Sequence, residues 1–159
     1  MRLISHRGNI KGPIPSRENN LDYIQEALDL GYDVEIDVWI SGSSLYLGHD
    51  SPNSKVSLDW LMERSDNLWI HCKNISALVY LKEYVEFNVF WHEQDRITLT
   101  SKSFIWAFPG NQPINKSIAV LPEIYDDPVN GCCGICSDYI EKYKFLSTNE
   151  SSSFTSWTD

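Results

Sequence analysis

Four polar side chains within the first fifty residues could do chemistry together: His6, Glu35, Asp37 and His49. Glu35 and Asp37 stand two apart, so on a strand they share one face, about 6.5–7 Å apart along the chain. With tips about 5 Å apart and an effective dielectric near ~20, two negative charges repel by roughly 3 kcal/mol. Such a pair calls for a proton or a cation. Two histidines beside it would add acid–base chemistry at a bound metal, because imidazole changes charge near neutral pH.

Further polar residues follow the same spacing logic. His71 and Lys73 share one face of the segment Trp69-Ile70-His71-Cys72-Lys73, together with Trp69. Arg7 and Lys73 suit phosphate, the first as a planar fork and the second as a point charge. His92 closes an apolar run, with substrate contact and a plain structural role equally open to it. Glu18 can position a loop or favour a helix start, Asp50 can orient His49, and Glu123 is a fallback carboxylate ligand. A carboxylate pair on a strand buried on both faces would cost several kcal/mol unless something paired it. A divalent ion bound by oxygen ligands removes that penalty.

These residues need strands to aim them. Arg2 to His6 reads as a first strand and Asn9 to Pro15 as a loop. Asn19 or Asn20 caps a helix with Leu21, Ile24, Ala27 and Leu28 inward, stopped by Gly31. Asp33 to Ile40 alternates, with Val34, Ile36 and Val38 on one face and Glu35, Asp37 and Trp39 on the other. Leu45 to Gly48 returns as a short strand that carries His49 to the same rim. A helix over Leu58 to Arg64, a strand over Leu68 to Lys73, a helix over Ile75 to Val85 and a strand over Val89 to His92 complete a strand–helix alternation. That alternation implies a parallel sheet. Beyond it the sequence predicts a hairpin, Ile97 to Thr100 with Phe104 to Phe108, and a strand over Ser117 to Leu121. A last strand, Gly134 to Asp138, leads into a helix that Asp138 would cap with Glu141.

The ordered motifs His6-Arg7-Gly8, Glu18-Asn19-Asn20, Glu35-Ile36-Asp37 and His49-Asp50 resemble the N-terminal signature of the glycerophosphodiester phosphodiesterase family. That family is a branch of the phosphatidylinositol-phospholipase-C-like barrels. Gly134-Ile135-Cys136-Ser137-Asp138 is similar to the family's closing strand, so the likeness reaches both ends of the chain. The resemblance implies an α/β fold, a TIM-type (β/α) barrel. At 159 residues, against about 250 for an ordinary one, it would be contracted, with few outer helices in its second half. One domain over 1–146 and a Ser/Thr-rich tail over 147–159 are expected. The resemblance also implies His6 and His49 as the acid–base pair and Glu35 and Asp37 as metal ligands. The sequence departs from the family at the third ligand, where His71 replaces a Glu while Lys73 is kept. The family metal is Mg or Ca; ligation by His71 would shift preference toward Mn or Zn, and the other role open to His71 is contact with substrate or water.

The implied activity is metal-dependent cleavage of a small, glycerophosphodiester-like phosphodiester. The alternative is a non-catalytic phosphate- or sugar-phosphate-binding barrel. A zinc hydrolase of the amidohydrolase type would want His-x-His on the first strand, which Ser5-His6-Arg7 lacks. A net charge of -9 argues against nucleic acid and anionic membranes as partners. No run approaches the ~18 apolar residues of a membrane helix, and Met1 to Ile4 is too short for a signal peptide. Cys72, Cys132, Cys133 and Cys136 read as packed thiols, since no second Cys pair completes a zinc site. A cytoplasmic location is expected.

Overall fold

The structure, a computed structural model, describes residues 1–149. Ten strands form one curled, mixed sheet: β1 (Arg2–His6), β2 (Asp33–Ser41), β3 (Ser44–Leu47), β4 (Ser54–Val56), β5 (Leu68–Cys72), β6 (Asn88–Phe90), β7 (Ile97–Leu99), β8 (Ile105–Ala107), β9 (Ser117–Val120) and β10 (Gly134–Ser137). Four short helices accompany them: α1 (Leu21–Asp29), α2 (Leu58–Met62), α3 (Ile75–Leu81) and α4 (Lys144–Asn149). Asn20, Ser57 and Asn74 cap the first three, each accepting from a backbone N–H of the first turn, which satisfies donors the helix itself cannot. The tail from position 150 onward lies outside the described residues.

The path β6–β5–β2–β1–β10–β9–β8 is parallel throughout. At its edges β7 runs antiparallel to β8, and β3 and β4 fold back antiparallel on the far end of β2. The expected TIM-type barrel is therefore incorrect. The molecule is a strand-rich, curled half-barrel whose alternation with helices stops after α3. The reason is local: the connections from β6 to β7, β8 to β9 and β9 to β10 contain no stretch with helical periodicity, only turns and a 3-10 segment at Pro122–Ile124. No ladder joins β6 to the β7–β8 hairpin. Isolated bonds bridge that seam instead: Ser101 N–H donates to the Val89 carbonyl at 2.8 Å, and the Thr98 hydroxyl to the Trp91 carbonyl at 3.0 Å.

Two further expectations fail. α3 ends at Leu81 rather than at Val85, and Val79 and Val85 are exposed. Asp138 caps nothing; the 3-10 turn after β10 begins without a side-chain cap.

Alternation along β2 separates two cores. Val34, Ile36 and Val38 pack outward on Ile24 and Ala27 of α1, Leu61 of α2 and Leu81 of α3. Each fully buried aliphatic side chain there contributes about 1.5–3 kcal/mol. Inside the curl lie Ile4, Trp69, Phe90, Trp106, Ile118 and Val120. The Phe90 and Trp106 rings sit 4.6 Å apart and those of Trp69 and Trp106 5.7 Å, so large aromatics fill the lumen below the strand ends. No helix of the described residues is long and apolar enough to cross a membrane.

Candidate functional site

Parallel register brings the polar residues together. His6 pairs with Glu35 across β1 and β2, and Asp37 with His71 across β2 and β5. Partners in register project side by side from one face, so the inward residues of three adjacent strands form a cluster at their C-terminal ends. Glu35 is 2 % exposed and Asp37 fully buried. A cavity of about 350 Å³ opens above them, and all four histidines of the chain border it.

Asp37 is held from two sides. Its Oδ2 accepts from Asn19 Nδ2 at 2.9 Å, its backbone N–H donates to Asn19 Oδ1 at 2.9 Å, and Arg7 Nε stands 3.0 Å from Oδ2. Arg7 also donates to Glu18 from Nη1. The turn that places Arg7 is left-handed, with φ of 56° at Arg7 and 95° at Gly8. A Cβ at Gly8 would come within 2.8 Å of the Tyr23 ring, so glycine is required there by both conformation and space.

Three ligand atoms, one each from Glu35, Asp37 and His71, lie within 4.8 Å of one another. Asp37 Oδ1 and Glu35 Oε2 are buried without a hydrogen-bond partner. His71 sharpens the point. Its Nε2 donates to the His92 carbonyl at 2.8 Å, because a carbonyl can only accept. In the neutral ring Nδ1 is then a lone pair, and it faces Asp37 Oδ1 at 3.1 Å and Glu35 Oε1 at 3.9 Å. Lone pairs converging in a buried site need a cation between them or a second proton on the ring. Phe90, stacked on the His71 ring at 5.1 Å and 7°, fixes the plane in which Nδ1 points. The donor set of two carboxylates and one imidazole fits a divalent transition ion.

The two carboxyls are driven apart. Burial, with the Asp37 charge beside it, pushes the Glu35 carboxyl up, against the pull of His6, Arg7 and His71. Burial acts upward on Asp37 too, but a hydrogen bond from the His71 ring carrying its second proton and the positive charges of Arg7 and Lys73 outweigh it and hold Asp37 well below the carboxylate range. Lys73 Nζ lies 3.5 Å from Asp37 Oδ1, so both sequence-predicted phosphate holders reach the cluster.

The two candidate acid–base histidines differ. His6 is 9 % exposed; its Nδ1 meets Asp138 Oδ1 at 2.7 Å and its Nε2 lies 3.8 Å from Glu35 Oε2. Burial works to lower its pKa, but Asp138 and the Glu35 charge more than offset this and the net shift is upward. His49 follows Gly48 on the loop after β3, with its side chain 42 % exposed, and its Nδ1 contacts Asp50 Oδ1 at 2.7 Å. That pair sits in solvent and orients His49 with little energy.

Sequence reasoning missed three residues. Asp138, read as a helix cap, follows directly on β10 and buttresses His6. Asn9, fully buried, donates from Nδ2 to Asp138 at 2.8 Å and to Glu18 at 2.9 Å. Asn19, considered only as a cap, clamps Asp37, while Asn20 does the capping. The signal for Asp138 was its place at the end of Gly134-Ile135-Cys136-Ser137. Glu123, the fallback ligand, is not at the Glu35–Asp37–His71 cluster: its Oε1 accepts from the Ser137 hydroxyl at 2.8 Å and Asp138 N–H at 3.0 Å. It fixes the end of β10 instead. No protein-family model, curated protein or solved structure matches the chain.

Proposed function

We propose that the protein is a metal-dependent phosphodiesterase acting on a small, glycerophosphodiester-like substrate. The observation that carries this reading is the buried Glu35–Asp37–His71 donor set, with unpartnered oxygens, beside a buttressed histidine and two cations in one cavity. The ordered likeness to the glycerophosphodiester phosphodiesterase signature supports it. Glu35, Asp37 and His71 would hold the ion, Mn or Zn by the nitrogen donor, with the family's Mg or Ca less suited to it. When bound, the ion supplies Lewis acidity toward a phosphate oxygen and acidifies a nearby hydroxyl.

The chain's own residues do the rest. Arg7 and Lys73 offset charge on the phosphoryl oxygens. A hydroxyl of the substrate attacks phosphorus, its proton passing to His49, and the bond to the leaving alcohol breaks as His6 Nε2 protonates that oxygen. The product is a cyclic phosphate that water can open. His6 takes the donor role because Asp138 and Glu35 favour its charged form, and proton transfer of this kind contributes about 10²–10⁴-fold. Attack within one molecule adds up to ~7–11 kcal/mol through tethering. The four cysteines are free thiols, which supports a reducing compartment, the cytoplasm.

Hydrolysis of bis(p-nitrophenyl) phosphate and of glycerophosphodiesters, with Mn and with EDTA, tests the reading in wild type and His6→Ala. Metal-dependent turnover lost in the variant is expected. A fully metallated protein inert toward the whole panel would reject it in favour of a phosphate-binding role.

A further inference from the structure

His92 is 8 % exposed and borders the cavity, and its Nε2 has no hydrogen-bond partner. The ring stacks on Phe108 at 5.0 Å and 15°. The backbone carbonyl of His92, not the ring, serves His71. Nε2, an acceptor in the tautomer with the proton on Nδ1, is held by that stack and left unsatisfied on a cavity wall. A buried polar atom without a partner is costly, and the cost is recovered when a ligand supplies the donor.

The surroundings of His92 define the rest of that ligand. Trp106, Phe108 and Pro109 from the β8 side and Val120, Leu121 and Ile124 from the β9 side complete this wall. Apart from Glu93, the charged groups of the cavity sit on β1, β2 and β5 or just after them. The cavity therefore has a charged half for a phosphate and a largely apolar half whose polar groups are the buried His92 and the exposed Glu93. Exposed Phe108 and Ile124 carry the apolar character outward to the mouth. Glycerol would leave this half poorly filled, with its hydroxyls against hydrocarbon.

We propose that His92 is a specificity-determining residue: its Nε2 accepts a hydrogen bond from the leaving alcohol of the diester, and that alcohol is an apolar aryl or alkyl body bearing one hydroxyl or N–H. The inference rests on the phosphodiesterase reading for the word "leaving"; the two-sided cavity itself can be tested without turnover. Sites built around one hydrogen bond discriminate sharply against analogues that lack the donor, because their own buried group is then left unpaired.

The test uses unreactive probes with the Mn-loaded full chain: glycerol 3-phosphate, benzylphosphonate, its 2-, 3- and 4-hydroxy isomers, and hexyl- and 6-hydroxyhexylphosphonate, by calorimetry. Benzyl- or hexylphosphonate should bind about tenfold or more tighter than glycerol 3-phosphate, and the aryl and alkyl arms identify which body fits. One hydroxylated probe should gain about another tenfold over its parent. His92→Phe, which preserves the ring stack, should erase that gain and leave the parent phosphonate within about threefold. Equal affinity for glycerol 3-phosphate and every apolar probe overturns the proposal, as does a hydroxyl gain that survives in His92→Phe. If His92→Phe does not fold, the wild-type comparison of hydroxylated with plain probes still decides. Failure of bis(p-nitrophenyl) phosphate hydrolysis with probe selectivity intact would reject catalysis and keep the binding specificity; loss of selectivity with hydrolysis intact would do the reverse.

Discussion

His6 and Asp138, 132 residues apart in the chain, meet through Nδ1 and Oδ1 at 2.7 Å. The contact exists because β1 and β10 pair in parallel with Ser5 opposite Ser137, so His6 at the end of β1 and Asp138 just past β10 stand side by side. Asp138 orients the ring, selects the tautomer with the proton on Nδ1, and leaves Nε2 toward the cavity. Asp138→Asn should lower kcat/KM by about 10–100-fold, the usual scale for a partner that orients a working histidine. The His6 resonance in an NMR titration should then move at lower pH than in wild type. An unchanged titration would remove Asp138 from any part in the site.

The same pair sets a pH window for stability. The folded pKa of His6 lies above its ordinary 6.5, so its contribution is complete below that value and is lost as pH rises through the folded pKa. Asp138 is shifted down from 3.8, chiefly by His6 and Asn9 against the opposing effect of burial. Its contribution is present above the ordinary value and disappears as pH falls through the folded one. The stability difference between wild type and Asp138→Asn should therefore be largest between about pH 4 and 6.5 and shrink on either side. Urea midpoints of the metal-free proteins across pH 3–9 measure it, and a flat difference would sink the assignment.

What the sequence made legible was periodic or contiguous. The alternation of Val34, Ile36 and Val38 with Glu35 and Asp37 identified β2 and its inward face, and strand ends collected His6, His49, His71 and His92 on one rim. The barrel was misjudged because the likeness of Gly134-Ile135-Cys136-Ser137-Asp138 to a closing strand implied closure, whereas no ladder joins β6 to the β7–β8 hairpin. Asp138 was misread because Asp-x-x-Glu is a local capping pattern, whereas its partner His6 belongs to the other end of the chain. Asn19 was half seen for a similar reason: two adjacent asparagines both look like caps, and only folding sends one of them to Asp37. Nothing in a single sequence marks the vacant Nε2 of His92, which depends on how the seam between β6 and β8 closes.

Glu35 should be a liability to the metal-free fold. Burial and the neighbouring Asp37 raise its pKa, so its contribution to stability is complete below about 4.5 and is lost as pH rises through the folded value. Glu35→Gln abolishes that loss, and at pH 7.5 in EDTA the variant should be more stable than wild type by about 1–3 kcal/mol, as for other buried charges made neutral. The order should invert with saturating Mn, because only wild type gains stability from the ion. Thermal melts under the two conditions check it; a variant less stable than wild type in EDTA would show that Glu35 is already well compensated.

His71 is the natural place to change metal preference. His71→Glu replaces an imidazole nitrogen by a third carboxylate and discards the bond to the His92 carbonyl. The metal-free variant should be destabilised by like charges beside Asp37 and Glu35, and its preference for Zn over Mg should fall by at least about tenfold as the donor set hardens. Competition calorimetry gives that ratio directly. An unaltered Zn to Mg ratio would mean that His71 does not ligate and that its lone pair serves substrate or water.

Gly48 joins β3 to the second histidine, His49. Its φ is 146°, and a Cβ there would lie 2.1 Å from the Ser51 carbonyl oxygen. Gly48 N–H also donates to the Asp37 carbonyl at 3.1 Å and its own carbonyl accepts from Trp39 Nε1, so the loop cannot shift without breaking its anchors on β2. Gly48→Ala should cost upward of about 1 kcal/mol through backbone strain. It should displace His49 while leaving Glu35, Asp37 and His71 in their strands. Mn affinity by calorimetry should therefore hold within about threefold, and kcat should fall by about 10²-fold or more, the usual contribution of one acid–base group. Loss of both together would make Gly48 a general folding residue, and retention of both would exclude His49 from proton transfer.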